Sequence, residues 1–271
     1  MMLATAAQAQ WVNYQAPSIP RTRDGKPNLT AKAPRAANGK PDLSGVWHVQ
    51  PNSLAEMKRL FGEDVNKIEV PGMEIDTISK YGLNIFQDFK PEDVPMRPEA
   101  AAIFARRFPA GPEVAPSAQC LPLGIPLVTM LSEFSKIVQT PSEIVIMLEL
   151  DNSYRQIHTD GRTPPVDPSP SWLGYSIGKW EADTLIVDTV GLNDKGWLDF
   201  FGHPQSEAMH ITERYRRRDF GHMDLEITMN DPKMYTKPFT IKVTHVLHPE
   251  SDVLEYVCAE NEKDRAHTGL K

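Results

Sequence analysis

The 271-residue sequence has no run approaching the ~20 apolar residues that a transmembrane helix requires, so no membrane span is expected. It has no excess of positive charge either. The formal net charge of −7 gives no overall field that draws the chain to nucleic acid or anionic lipid. The one basic run, Arg214 with Arg216 to Arg218, is interleaved with Tyr215 and flanked by Glu213 and Asp219, and no nucleic-acid partner is expected from it. Cysteine is scarce. Cys120 and Cys258 are the only two and lie too far apart for a local C-x-x-C redox or zinc motif. A glycine-rich phosphate loop, a G-x-S-x-G elbow, an H-E-x-x-H helix and an EF-hand loop are all missing, which argues against nucleotide-dependent enzymes and the common serine hydrolases.

What is present begins with MMLATAAQAQ, in which Ala7-Gln8-Ala9 fits the small-x-small pattern of signal-peptidase sites after an apolar stretch. The charged start and most of the apolar segment of a signal are absent. Residues 1–9 are therefore read as a residual export signal, with an ordinary N-terminus as the alternative, and the expected location is periplasmic or secreted. In an oxidising compartment Cys120 and Cys258 would form one long-range disulfide, contributing about 4–5 kcal/mol by loop entropy. Without export they would be two buried thiols. Residues 10–43 read as an extended arm rich in proline, glycine and basic groups, with an internal echo, Asp24-Gly-Lys-Pro-Asn-Leu-Thr-Ala and Asn38-Gly-Lys-Pro-Asp-Leu-Ser-Gly. Residues 44–271 are expected to form a single β-rich domain.

Gly45-Val-Trp47 leads into a first strand. Ser53-Leu-Ala-Glu56 is a capping box for a short helix carrying Leu54, Met57 and Phe61 and stopped by Gly62. A second short helix is expected over Pro98 to Arg107. From Lys136 onward the pattern is that of strands. Glu143 to Leu150 is a near-continuous apolar run, expected to be buried on both faces, and Tyr154 to Thr159 follows. Four prolines between Thr163 and Pro170 exclude a ladder position. Gly174 to Trp180 and Thr184 to Val190 form a hairpin. Further strands are expected over Met209 to Arg218, His222 to Met229, Phe239 to Val246 and Val253 to Ala259. Met223, Leu225, Ile227 and Met229 share one face, as do Phe239, Ile241 and Val243. The fold class is mainly β: a meander of about eight antiparallel strands closed as a lipocalin-like barrel, or folded as a β-sandwich, with one or two short N-terminal helices.

Long strings between Gln119 and Asp264 carry a resemblance. They include Cys120-Leu-Pro-Leu-Gly-Ile-Pro, Tyr154-Arg-Gln-Ile-His-Thr-Asp-Gly-Arg162, Trp172-Leu-Gly-Tyr-Ser-Ile-Gly-Lys-Trp-Glu-Ala-Asp-Thr-Leu-Ile-Val-Asp-Thr189, His210-Ile-Thr-Glu-Arg214 and Glu255-Tyr-Val-Cys258. In these the chain resembles an uncharacterised family of exported bacterial β-rich proteins, which implies export and a β-rich fold and carries over no catalytic residues. Gly45-Val-Trp47 also resembles the G-x-W opening of lipocalin-like barrels.

Several residues could carry chemistry. His203, His210 and Glu213 offer the ligand types of a zinc or iron site, and a divalent metal on His203 and His210 is the one cofactor considered; otherwise none is expected. Against it, His210 and Glu213 are three apart on a strand and so point to opposite faces. Glu213 shares a face with Met209, Ile211 and Tyr215. Desolvated there it would act as general acid or base, whereas paired with an arginine it would tie neighbouring strands together. His158 and Asp160 form an imidazole–carboxylate candidate at a strand end, although Asp160-Gly161 is equally a turn. Trp172, Tyr175, Trp180 and Trp197 could line a pocket or simply fill the core. Asp188 is a further possible internal carboxylate, and Arg214 a substrate contact.

These features support a periplasmic enzyme that holds a small, partly apolar or carbohydrate-like molecule in a barrel cavity and acts by acid/base elimination or hydrolysis, as a lyase or hydrolase. A non-catalytic carrier and an interaction module docking through the arm are the alternatives. Two ionisable groups converging in an open cavity would mark the enzyme, aromatics and aliphatics the carrier, and a barrel filled by its own side chains the module. Oligomeric state is left open.

Overall fold

A computed structural model describes residues 18–67, 79–131 and 133–258. The export-signal expectation over 1–9 and the start of the arm lie outside them. Nine strands close into a barrel in chain order: β1 (Gly45–Val49), β2 (Ser135–Gln139), β3 (Glu143–Leu148), β4 (Tyr154–His158), β5 (Tyr175–Glu181), β6 (Thr184–Val190), β7 (His210–Arg217), β8 (His222–Asn230) and β9 (Phe239–Leu247), with β9 pairing back onto β1. The ring of pairings from β1 round to β9 and back closes, which settles barrel over sandwich. The long pair β8 and β9 shows why this sequence makes strands. Met223, Leu225, Ile227 and Met229 face Phe239, Ile241 and Val243 inside, while Asp224, Glu226, Thr228, Thr240 and Lys242 alternate outward.

The pattern is not a pure antiparallel meander. β4 and β5 run parallel, and their pairing is confined to Ile157↔Ser176 and His158↔Ile177. The proline-rich crossover of 163–170 makes this possible, because a parallel connection must return the chain to the same end of the sheet. Two further expectations are corrected. Glu143 to Leu148 is not buried on both faces: Ile144, Ile146 and Leu148 point in, whereas Met147 is exposed. The segment from Val253 to Cys258 is not a strand. It is held instead by Lys136–Asp252 (2.8 Å), by Leu254 N–H to Glu149 (3.0 Å) and by the Cys120–Cys258 disulfide.

Both barrel ends are closed. At one, Trp47 is fully buried, donates from Nε1 to the Leu43 carbonyl (2.9 Å) and lies under the Arg217 guanidinium (4.9 Å). Arg217 donates to the Asp42 carbonyl (2.5 Å), and burial lowers its pKa to about 10. The arm is no extended ribbon. Its echo folds as two like turns, bridged Arg21↔Pro27 and Arg35↔Pro41, in which Arg21 and Arg35 donate to the carbonyls of Gly25 and Gly39. Arg35 then reaches Asp183 on the barrel (2.7 Å).

The other end is covered by α1 (Leu54–Phe61), α2 (Lys80–Leu83), α3 (Pro98–Arg107) and the 3₁₀ turns that follow. Ser53 caps α1 by accepting from Glu56 N–H (3.2 Å), and Gly62 ends it. Met57, Leu83, Ile85, Leu123, Ile125, Leu127 and Met130 bring this cover into the same core as the barrel interior.

Candidate functional site

The barrel interior is filled by its own side chains, so among the described residues it holds no ligand-sized cavity of the kind expected from the sequence. That is the outcome set for an interaction module, and a small-molecule site has to lie in the wall instead. Trp47, Ile144, Leu185, Val187, Ile211, Leu225 and Ile227 are all at most 1% exposed. A chamber under the cover, lined by Thr129, Leu131, Ile146, Tyr215 and His245 among others, holds about 20 Å³, room for roughly one water molecule.

Within this core lies one polar network. Arg155 on β4 donates to Glu213 on β7 (Nη1–Oε1 3.0 Å, with a second contact from Nη2 to Oε2), to Ser176 (3.1 Å) and to Thr189 (2.8 Å); the Tyr215 hydroxyl donates to Glu213 (2.7 Å). Burial opposes the Arg155 charge, but Glu213 and Tyr215 outweigh it and raise its pKa; burial and the Glu213 charge push the Tyr215 hydroxyl well up. The strands involved are not neighbours, since β5 and β6 stand between them. Glu213 is thus internal, as its alternation requires, but its oxygens are committed to Arg155 and Tyr215. This is the arginine pair rather than a free acid or base.

Where β4 and β5 stop pairing, their backbones separate and a cleft of about 370 Å³ opens in the wall. Tyr154, Trp172, Leu173, Tyr175 and Pro122 give it apolar surface. Gln156, His158, Ser153 and Ser171 give it polar groups, and Arg155 and Ser176 form its floor. The His158 ring lies 5.2 Å from that of Tyr175, and its Nδ1 is 3.4 Å from the Glu143 carboxylate. Gly174 is required here. Its φ is +63°, and a Cβ would stand 2.7 Å from both Thr189 Cγ2 and the Val190 carbonyl oxygen.

Of the residues singled out from sequence, the cleft gathers His158, Trp172 and Tyr175. Asp160 is adjacent through Arg162, which donates to it (2.6 Å) and to the Tyr175 hydroxyl (3.5 Å); hydrogen bonds from Arg162 hold the Asp160 carboxyl at about 2. The others are dispersed. His210 faces outward and pairs with Asp188 (3.2 Å), which is exposed and not internal. His203 is buried elsewhere, bonded to Asp199 (2.6 Å) and stacked on Phe104 (4.2 Å). His203 and His210 therefore share no site, and the described residues contain no group of three His, Cys, Asp or Glu that could hold a metal. Trp197 packs against Arg107 (5.0 Å), and Trp180 packs on the core.

Arg214 lies on the outer face near Glu181 (3.8 Å), beside a groove of about 380 Å³ over β7 to β9. Two of that groove's acidic groups are taken by cations, Lys242–Glu226 at 2.9 Å and Arg218–Asp224 at 3.3 Å, which is the ordinary arrangement of a solvated sheet face. Tyr154, Gln156 and Arg155 were not singled out. The available signal was an arginine alternating with Ile157 on an inward face, which needs an internal acid.

No helix among the described residues is long and apolar enough to cross a membrane. The fold and cleft define the chain as a closed nine-stranded barrel with a breach in its wall. In comparison with known proteins no protein-family model matches it, and no curated protein does so.

Proposed function

We propose that the protein binds a carbohydrate-like molecule in the cleft between β4 and β5. The observation that carries this reading is the lining. The aromatic surfaces of Trp172, Tyr175 and Tyr154 converge with hydrogen-bonding groups on Gln156, His158, Ser153 and Ser171 around one opening of about 370 Å³. A sugar ring has an apolar C–H face that stacks on aromatics and a rim of hydroxyls that needs such partners. The polar floor carries no free charge, because Arg155 is neutralised by Glu213. That favours a neutral ligand over an anion.

A disulfide and the resemblance to exported bacterial proteins support a periplasmic or secreted location for this binder. Acid/base turnover is a second reading, supported by the pairing of His158 with Glu143 at the cleft. The test is calorimetric titration of the full chain with glucose, galactose, mannose and N-acetylglucosamine, alongside Trp172→Ala. Saturable binding weakened at least tenfold by Trp172→Ala is expected. Absence of heat with all four sugars and with their tetramers would end the proposal. Release of reducing ends from those tetramers, lost in His158→Gln, would establish the hydrolytic reading.

A further inference from the structure

Resting on that reading of the cleft, we infer that the ligand is an oligosaccharide chain and that Tyr154 supports a second sugar unit outside the cleft. Tyr154 stands at the cleft rim, yet its side chain points away from the barrel and it is 64% exposed. Register places Met147 of β3 directly beside it and Lys136 of β2 beside Met147; the next row outward is Gln156, Val145 and Val138. Met147 and Val138 are exposed as well.

A strip of surface therefore runs from Trp172 and Tyr175, over Tyr154, and across β3 to β2. Neighbouring strands are about 4.8 Å apart, so it extends roughly 10 Å beyond β4. The strip sets its aromatic and aliphatic surface beside two polar pairs, Gln156 with Glu143 (3.0 Å) and Lys136 with Asp252 (2.8 Å), whose carboxylates and amide oxygen offer acceptors to hydroxyls. A chain of sugar rings likewise presents C–H faces beside hydroxyls. A protein partner needs a broad patch of ~800 Å² per side, whereas this strip is only two residue rows wide. Continuity with the cleft and the match of chemistry select the glycan.

The experiment compares glucose, galactose, mannose and N-acetylglucosamine with their linear tetramers by calorimetry on the full-length protein and on Tyr154→Ala, Tyr154→Phe and Trp172→Ala. At least one tetramer should bind tenfold or more tighter than its monomer. Tyr154→Ala should weaken the tetramer tenfold or more beyond any loss it causes on the monomer, Tyr154→Phe should keep the tetramer gain, and Trp172→Ala should weaken monomer and tetramer alike. If a monomer binds and no tetramer binds more tightly, or if Tyr154→Ala weakens both equally, the second subsite is overturned while the cleft reading stands. If no saccharide binds, both fall. Self-association abolished by Tyr154→Ala would assign the strip to a second copy of the chain and overturn the proposal.

Discussion

Arg155 and Glu213 meet inside the barrel from strands that do not touch, with Nη1 of the arginine 3.0 Å from Oε1 of the glutamate and both side chains at most 3% exposed. Two charges taken out of water are tolerated only because each satisfies the other. Removing one leaves the survivor desolvated, at a cost of about 3–5 kcal/mol, whereas replacing both by apolar groups is often neutral. Glu213→Leu and Arg155→Met should therefore each lower the urea midpoint sharply, and the double variant should be more stable than either. A double variant no better than the worse single would refute a mutual dependence.

His245 and His248 predict the acid side of the stability curve. Burial lowers the pKa of each below 6.5, although His245 also donates from Nε2 to the Thr129 carbonyl (2.9 Å). The unfolded chain then takes up protons first as the pH falls, so the stabilisation is complete above about pH 6.5 and is lost through the lower, folded-state values. Asp160 and Asp252, held down chiefly by hydrogen bonds from Arg162 and Lys136, act in the same direction but only below about 3.8. Thermal scans should show Tm falling between pH 7 and 5, with a shallower fall in His245→Gln. An unchanged slope in that variant would remove His245 from the account.

Gly174→Ala should destabilise the fold by more than the ~1 kcal/mol at which a substitution in the positive-φ region becomes costly. The new methyl meets the Val190 backbone as well as a side chain, and the backbone cannot step aside. Because Gly174 lines the cleft, ligand binding should weaken more than stability alone explains. Wild-type chemical stability in this variant would contradict the close approach.

The disulfide closes a loop between residues separated by 138 positions, for which chain entropy gives a contribution of about 5 kcal/mol. Cys120→Ser with Cys258→Ser, or reduction of the native chain, should lower the unfolding free energy by about 2–5 kcal/mol. Equal midpoints with and without reductant would show that the covalent link adds nothing.

The sequence made the strand order of the second half readable because Met223-Asp-Leu-Glu-Ile-Thr-Met229 alternates without a break, and alternation reports one buried face directly. It misled at Ile144-Val-Ile-Met-Leu148, where an apolar run suggests burial on both sides but Met147 faces outward. Apolar residues on a sheet exterior carry no periodic mark. The parallel step from β4 to β5 was likewise hidden, because strand direction is a property of the crossover and not of the strands. His158, Trp172 and Tyr175 could be named individually, yet their meeting depends on that step. His203, His210 and Glu213 lie close together in one dimension. Strand alternation and the buried turn around Asp199 then sent His210, Glu213 and His203 to three different environments.

β1 is completed by β9, so residues 45–49 wait for residues 245–247. During synthesis, almost two hundred intervening residues must emerge before the first strand gains its second neighbour. The nascent chain thus keeps β1 without its second neighbour for most of its production, and a pairing across so long a stretch of chain carries a loop-closure cost that slows folding. Holding factors that shield this strand until β9 emerges would suit such a polypeptide.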